Sequence, residues 1–163
     1  MSSLVSNNAA IVRDEVFVAA MPLRATKGPP QLLMSAAYSL NFWDLQHFML
    51  ILKHHSSSSH VLVFDFQPKD PQDIYVALQV LSGRAVPVVG TLLVRKLKAL
   101  PRSKCWQVGY SKGDGVEIAN EFNKKWDTNL RVGLNDCRDY TNGLVEQLTG
   151  EKDVLNRLRN NHS

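Results

Sequence analysis

The sequence is short of cysteine, of long apolar runs and of charge of one sign, and each shortage excludes something. Cys105 and Cys137 are the only cysteines among 163 residues. Two thiols are too few for a disulfide scaffold and suit a reducing compartment. The longest uncharged apolar stretch, 85–94, is interrupted by Pro87 and Gly90. It falls well short of the ~20 residues that a membrane-spanning helix needs. The N-terminus has no basic segment followed by an apolar one, so no secretory signal is expected and the chain reads as intracellular and soluble. Lys and Arg number 19 against 15 Asp and Glu, a net charge of +4. Cations spread over a solvated face account for so mild an excess, with nucleic acid or an anionic membrane as the sharper alternatives. No repeat or domain-sized linker is visible, so one domain is expected over 1–163, with the Ser/Asn-rich residues 1–10 flexible.

Apolar residues make up 44% of the chain and charged residues 21%, the composition of an ordinary globular domain. Three apolar runs, 16–20, 45–53 and 60–66, read as strands. The last two are joined by the polar segment HHSSSS as a hairpin. Residues 31–40 place Leu32, Leu33, Ala36, Ala37 and Leu40 on one helical face. Asp70 and Pro71 open a second helix that runs to about Ser82 and stops at Gly83. Residues 86–94 contain Pro87 and Gly90 and are expected to form at best a bent or edge strand. Residues 105–110 alternate like a strand, and KGDG at 112–115 is a turn. A helix follows over 116–126, with Ile118, Ala119, Phe122 and Trp126 inward. Another runs from Cys137 to about Leu148, ended by Gly150, and a polar helix at 152–159 closes the chain. Trp43 and Trp106 read as core anchors. The mixture is α+β, helix-rich in its C-terminal half.

Cys137 is the most informative residue. With Asn135 or Asp136 as cap, it falls in the first turn of its helix. There the positive end of the macrodipole favours the thiolate. Cys137, Tyr140, Thr141, Leu144 and Leu148 share one inward face. The plain alternative is a small buried hydrophobe. His47 interrupts an otherwise apolar strand and is either a satisfied core histidine or the base that a cysteine nucleophile requires. Asp65 is an equally odd polar residue inside VLVFDF. Pairing Leu52 with His60 would set Asp65 opposite His47, where it could hold the imidazole tautomer; a shifted register would bring His60 closer instead. The simpler role for Asp65 is a strand-end carboxylate that caps backbone or meets a lysine.

Asn135-Asp136-Cys137-Arg138-Asp139-Tyr140 resembles the Asn-x-Cys-x-x-aromatic helix start of the permuted papain-like thiol enzymes. That superfamily includes the lecithin:retinol acyltransferase-like proteins, the PPPDE peptidases and the NlpC-type hydrolases. Gln46-His47-Phe48 resembles the start of its histidine strand, and the order, His early and Cys late, is also similar. The resemblance covers these two motifs and their order. It implies a circularly permuted papain-like core, a small antiparallel sheet packed against helices. It also implies Cys137 as nucleophile and His47 as base. Acyltransferase-like members carry a His at the third position. The sequence distance would suit His60, and the longer hairpin loop favours Asp65. Asp136, where relatives often have a neutral residue, would raise the thiol pKa by its charge.

The activity so implied is attack on an ester, thioester or (iso)peptide carbonyl, with helix-start N–H groups as oxyanion donors and no cofactor required. A different class remains: a non-catalytic interaction module on the same scaffold, using Arg95, Lys96, Lys98, Arg102 and Lys104 as an anion-binding surface. The plain account of that cluster is a charged, solvated strand edge. His54, His55 and His60 lie on a Ser-rich loop without a carboxylate or thiolate at ligand spacing, so no metal site is expected. KGDG lacks the glycines and the Lys-Ser/Thr ending of a phosphate loop. Cys105 has no nearby base in sequence and reads as structural.

Overall fold

The structure is a computed structural model that describes residues 13–22, 46–55, 59–70, 88–131 and 133–162. The helices expected at 31–40 and 71–82, Trp43 and residues 1–10 lie outside the described residues. The described chain builds an α+β domain: an open six-stranded antiparallel sheet and three helices. The strands are β1 (Glu15–Pro22), β2 (Gln46–Lys53), β3 (Val61–Pro68), β4 (Val88–Leu97), β5 (Cys105–Tyr110) and β6 (Asn129–Leu130). The helices are α1 (Gly115–Lys125), α2 (Cys137–Thr149) and α3 (Val154–His162). Strand order is β5-β1-β2-β3-β4-β6, so the last two strands in sequence flank the first four on opposite edges.

Alternation along the strands sends side chains to two faces. Val16, Val18, Ala20, Phe48, Leu50, Leu52, Phe64 and Phe66 form the main core with Ala119 of α1, Tyr140, Leu144, Val145 and Leu148 of α2, and Val154, Leu155 and Leu158 of α3. Trp106 packs against this core. Ala19, Met49, Ile51, Val61 and Val63 form a smaller cluster on the other face, joined by Phe17, Leu97, Leu100 and Cys105. The closing helix is thus amphipathic rather than polar throughout.

β4 has the expected edge character from Gly90 onward, because β6 pairs only with Val88 and Val89. It is a continuous ten-residue strand, paired with β3 from Val61↔Leu97 to Pro68↔Gly90. Gly90 serves close approach rather than a bend. Its N–H donates to the Thr128 carbonyl at 2.9 Å. A Cβ there would lie 2.5 Å from Phe66 Cε2 and 2.7 Å from the Thr128 oxygen. The β2–β3 register differs: Leu52 pairs with Leu62, not with His60. The hairpin is therefore slipped by two residues from the expected pairing. A slip of two keeps every side chain on its face, whereas a slip of one would have reversed them.

Both α1 and α2 are capped by residues next to them in sequence. Asp114 caps α1 by accepting from Glu117 N, and Gly150 closes α2 with φ of 83°. α2 begins with a capping box in which Asp136 and Asp139 reach each other's backbone N–H groups. Its last turn is tied to the start of α1 by Lys112 N donating to the Leu148 carbonyl at 2.8 Å. Thr149 lies against Gly109, which pairs with Val16, and Val16 pairs with Leu52. The C-terminus of α2 is thereby placed at the Leu52 end of β2, and its first turn at the Gln46 end.

Candidate thiol–imidazole site

His47 occupies the second position of β2, in phase with Met49 and Ile51 and paired with Met21 of β1. The β2–β3 ladder ends at Leu50↔Phe64. Beyond that point no pair joins the two strands, and His47 and Asp65 span the gap: Nε2 meets Asp65 Oδ1 at 2.5 Å. Extending the ladder would set Asp65 opposite Met49, so the contact is diagonal rather than direct. Asp65 is 1% exposed. Its other oxygen accepts from Arg95 Nη2 at 3.3 Å.

Cys137 lies near enough to the same imidazole for its charge to act on the ring. Burial works to lower the pKa of His47, but the negative charge on Cys137, the hydrogen bond to Asp65 and the charge of Asp65 outweigh it. The result is a pKa pushed up from 6.5 to about 10. Tyr140, one turn beyond Cys137, has its phenol pushed up by burial and by the Asp65 charge, and its hydroxyl donates to Asn123 Oδ1 at 2.6 Å. It stays neutral within the core, where the rings of Phe66, Phe122 and Trp126 surround it.

The structure brings together Cys137, His47 and Asp65 and leaves His60 out. His60 precedes β3 at the far end of the hairpin, where its Nδ1 meets Ser59 Oγ at 3.0 Å. Burial opposes the charge on Asp136. Even so, Arg138 at 2.8 Å and the N–H groups of Gly133 and Arg138 hold its carboxyl below the usual range. Its charge is therefore largely spent on Arg138 rather than on the thiol. The same cap corrects the oxyanion expectation. Arg138 N and Asp139 N both donate to Asp136 Oδ1, which leaves the Cys137 N–H as the first-turn donor without a partner among the described residues.

The basic cluster does not form one face. Arg95 is turned toward Asp65 and is only part exposed, whereas Lys96 pairs with Leu62 and projects to the other side of the sheet. Lys98 and Arg102 are exposed, and the Lys104 carbonyl accepts from Ala20 N at 2.9 Å. Sequence reasoning missed Arg95 as a site residue, though a signal existed: it is in phase with Leu93 and Leu97 on an alternating strand. Burial pushes the thiol of Cys105 up, in keeping with a structural role.

A second carboxylate–imidazole pair lies at the opposite end of the sheet. Buried Asp14 bonds His54 Nδ1 and takes Gly115 N at 2.8 Å. The adjoining cavity, lined in part by His54, His60 and Val116, is about 40 Å³. Among the described residues no group of three or more His, Cys, Asp or Glu converges as a metal site, and no helix is long and apolar enough to cross a membrane. Comparison with protein-family models, curated proteins and solved structures finds no match for the chain.

Proposed function

We propose that the chain is a cysteine-dependent hydrolase or acyltransferase built on a permuted papain-like arrangement, with Cys137 as nucleophile, His47 as acid–base and Asp65 as the residue that orients the imidazole. The observation that carries this reading is the His47–Asp65 hydrogen bond, with Cys137 acting on the same imidazole from the first turn of α2. A helix start and an imidazolium both favour the thiolate. The intrusion of a polar residue on each of two neighbouring apolar strands at one spot is what a nucleophile–base–orienter line requires.

In the proposed reaction the Cys137 thiolate adds to the carbonyl carbon of an ester, thioester or amide. The developing oxyanion accepts from the Cys137 N–H. Collapse breaks the bond to the leaving group, which takes the proton held by His47. The acyl group remains on sulfur. Neutral His47 then removes a proton from water or a second acceptor, which adds to the thioester and releases Cys137 as thiolate beside the restored imidazolium.

The test is the pH dependence of iodoacetamide alkylation, read by mass spectrometry at Cys137 and Cys105 separately. An ordinary thiol is on the order of 1% ionised or less at pH 6, so a Cys137–His47 ion pair should label roughly a hundredfold faster than Cys105 there. His47→Ala should remove most of that difference. A Cys137 that labels no faster than Cys105, with no effect of His47→Ala, would overturn the reading and leave the scaffold as an interaction module.

A further inference from the structure

We propose that Arg95 is a positioning residue of the thiol–imidazole site, present to balance its charge. The inference rests on the reading of Cys137 and His47 as an ion pair. The charged and titratable groups at the site are His47 of β2, Asp65 of β3, Arg95 of β4 and, from α2, Cys137 and the phenol of Tyr140; the cap of α2 adds Asp139 and the Asp136–Arg138 ion pair, whose charges cancel. The partner that β1 sets beside His47 is Met21, which carries no charge. A thiolate and an imidazolium cancel. Adding the Asp65 carboxylate, with its side chain 2% exposed, leaves one uncompensated negative charge in a buried place. A neutral orienting residue would raise no such problem; a carboxylate does. Without a further cation, the cheapest relief is protonation of the sulfur, which removes the nucleophile.

Arg95 is the cation that the fold supplies. Its guanidinium meets Asp65 on the oxygen that His47 leaves free. The geometry is that of a charge-balancing group rather than of one placed for its own hydrogen bonds. The contact is a single 3.3 Å bond. Nε is buried with no hydrogen-bond partner. A surface cation of the same strand, Lys96, is one residue away and faces the other side. Four groups of alternating sign thus line up from α2 to β4: Cys137, His47, Asp65 and Arg95.

The test measures the pH profile of Cys137 alkylation by iodoacetamide on the full chain. The variants are Arg95→Met, Arg95→Gln, Arg95→Lys and the double variant Arg95→Met/Asp65→Asn. Removing the cation disfavours the thiolate, so either neutral variant should move the acid limb up by about one pH unit. Arg95→Lys keeps the charge and should return the limb to within about 0.3 unit of wild type. The double variant removes one charge of each sign and should fall close to wild type. A purely structural Arg95 would lower stability without moving the limb. Profiles of both neutral variants that superpose on wild type overturn the inference, as does a double variant that stays displaced upward. If wild-type Cys137 itself shows no enhanced labelling, the ion-pair reading fails and this inference with it. An enhanced wild type with an unmoved Arg95→Gln defeats this inference alone.

Discussion

Asp65 lies diagonal to His47 across the open end of the β2–β3 ladder, yet the two side chains meet at 2.5 Å. The diagonal arises from a two-residue register difference that preserves the face. Asp65 serves two cationic partners at once, His47 and Arg95. Asp65→Ala would leave those two groups facing each other with no anion between them. Loss of one member of a buried charge set costs about 3–5 kcal/mol. Urea unfolding at pH 7 should therefore show Asp65→Ala destabilised by roughly 3 kcal/mol, and Asp65→Asn by less, because the amide oxygen still accepts a hydrogen bond.

The raised pKa of His47 makes stability depend on pH with a definite sign. The folded protein holds this proton up to a pH of about 10, whereas the unfolded chain releases it near 6.5. Stability from the charged imidazole is thus fully present below pH 6.5 and lost as pH rises toward 10. The steepest possible loss is about 1.4 kcal/mol per pH unit. Denaturation of wild type and His47→Gln at pH 8, 9 and 10 should show a stability gap that closes toward pH 10. A constant gap would contradict it.

Two glycines are set by close approach. A Cβ at Gly115 would stand 2.6 Å from Asp14 Oδ2, the atom that accepts the Gly115 N–H. A Cβ at Gly90 would meet Phe66 and the Thr128 carbonyl. Gly115→Ala and Gly90→Ala should each cost about 1–3 kcal/mol. For a chain of this length that lowers Tm by roughly 2–4 °C per kcal/mol, readable by thermal circular dichroism.

Asp136→Ala should move stability and reactivity in opposite directions. It removes the cap of α2, worth about 1–2 kcal/mol. It also removes the carboxylate that pairs with Arg138 and frees two first-turn N–H groups beside the thiol. Both changes favour the thiolate. The variant should melt lower and yet label faster at Cys137 at pH 6; slower labelling by a folded variant would contradict the electrostatic account.

The α+β character, five of the six strands, the three described helices and the caps at Asp136 and Gly150 were legible in the sequence. Each depends on signals a few residues apart: alternation, helical spacing, a capping side chain, a left-handed glycine. β4 is an edge strand from Gly90 onward, one of its two expected forms, and it runs unbroken through that residue. A glycine that admits a neighbouring backbone has the same local signature as one that permits a bend. The two-residue strand β6 is too short to carry a periodicity. His47 and Asp65 stood out as polar residues in apolar strands, and Cys137 as a thiol behind a cap. All three were identifiable as candidates before any fold was known.

What the sequence by itself determined, then, is the kind of elements present and the residues that do not belong to a core. The tertiary structure alone decided who meets whom. It set Leu52 against Leu62, joined Asp65 to His47 instead of His60, placed the first turn of α2 at the His47 end of β2, and turned Arg95 inward while Lys96 faced away. The physical reason is range. Periodicity and capping act through neighbours along the chain. Register and charge pairing act through space, between residues separated by up to ninety positions, and depend on how the two apolar faces of one sheet are covered.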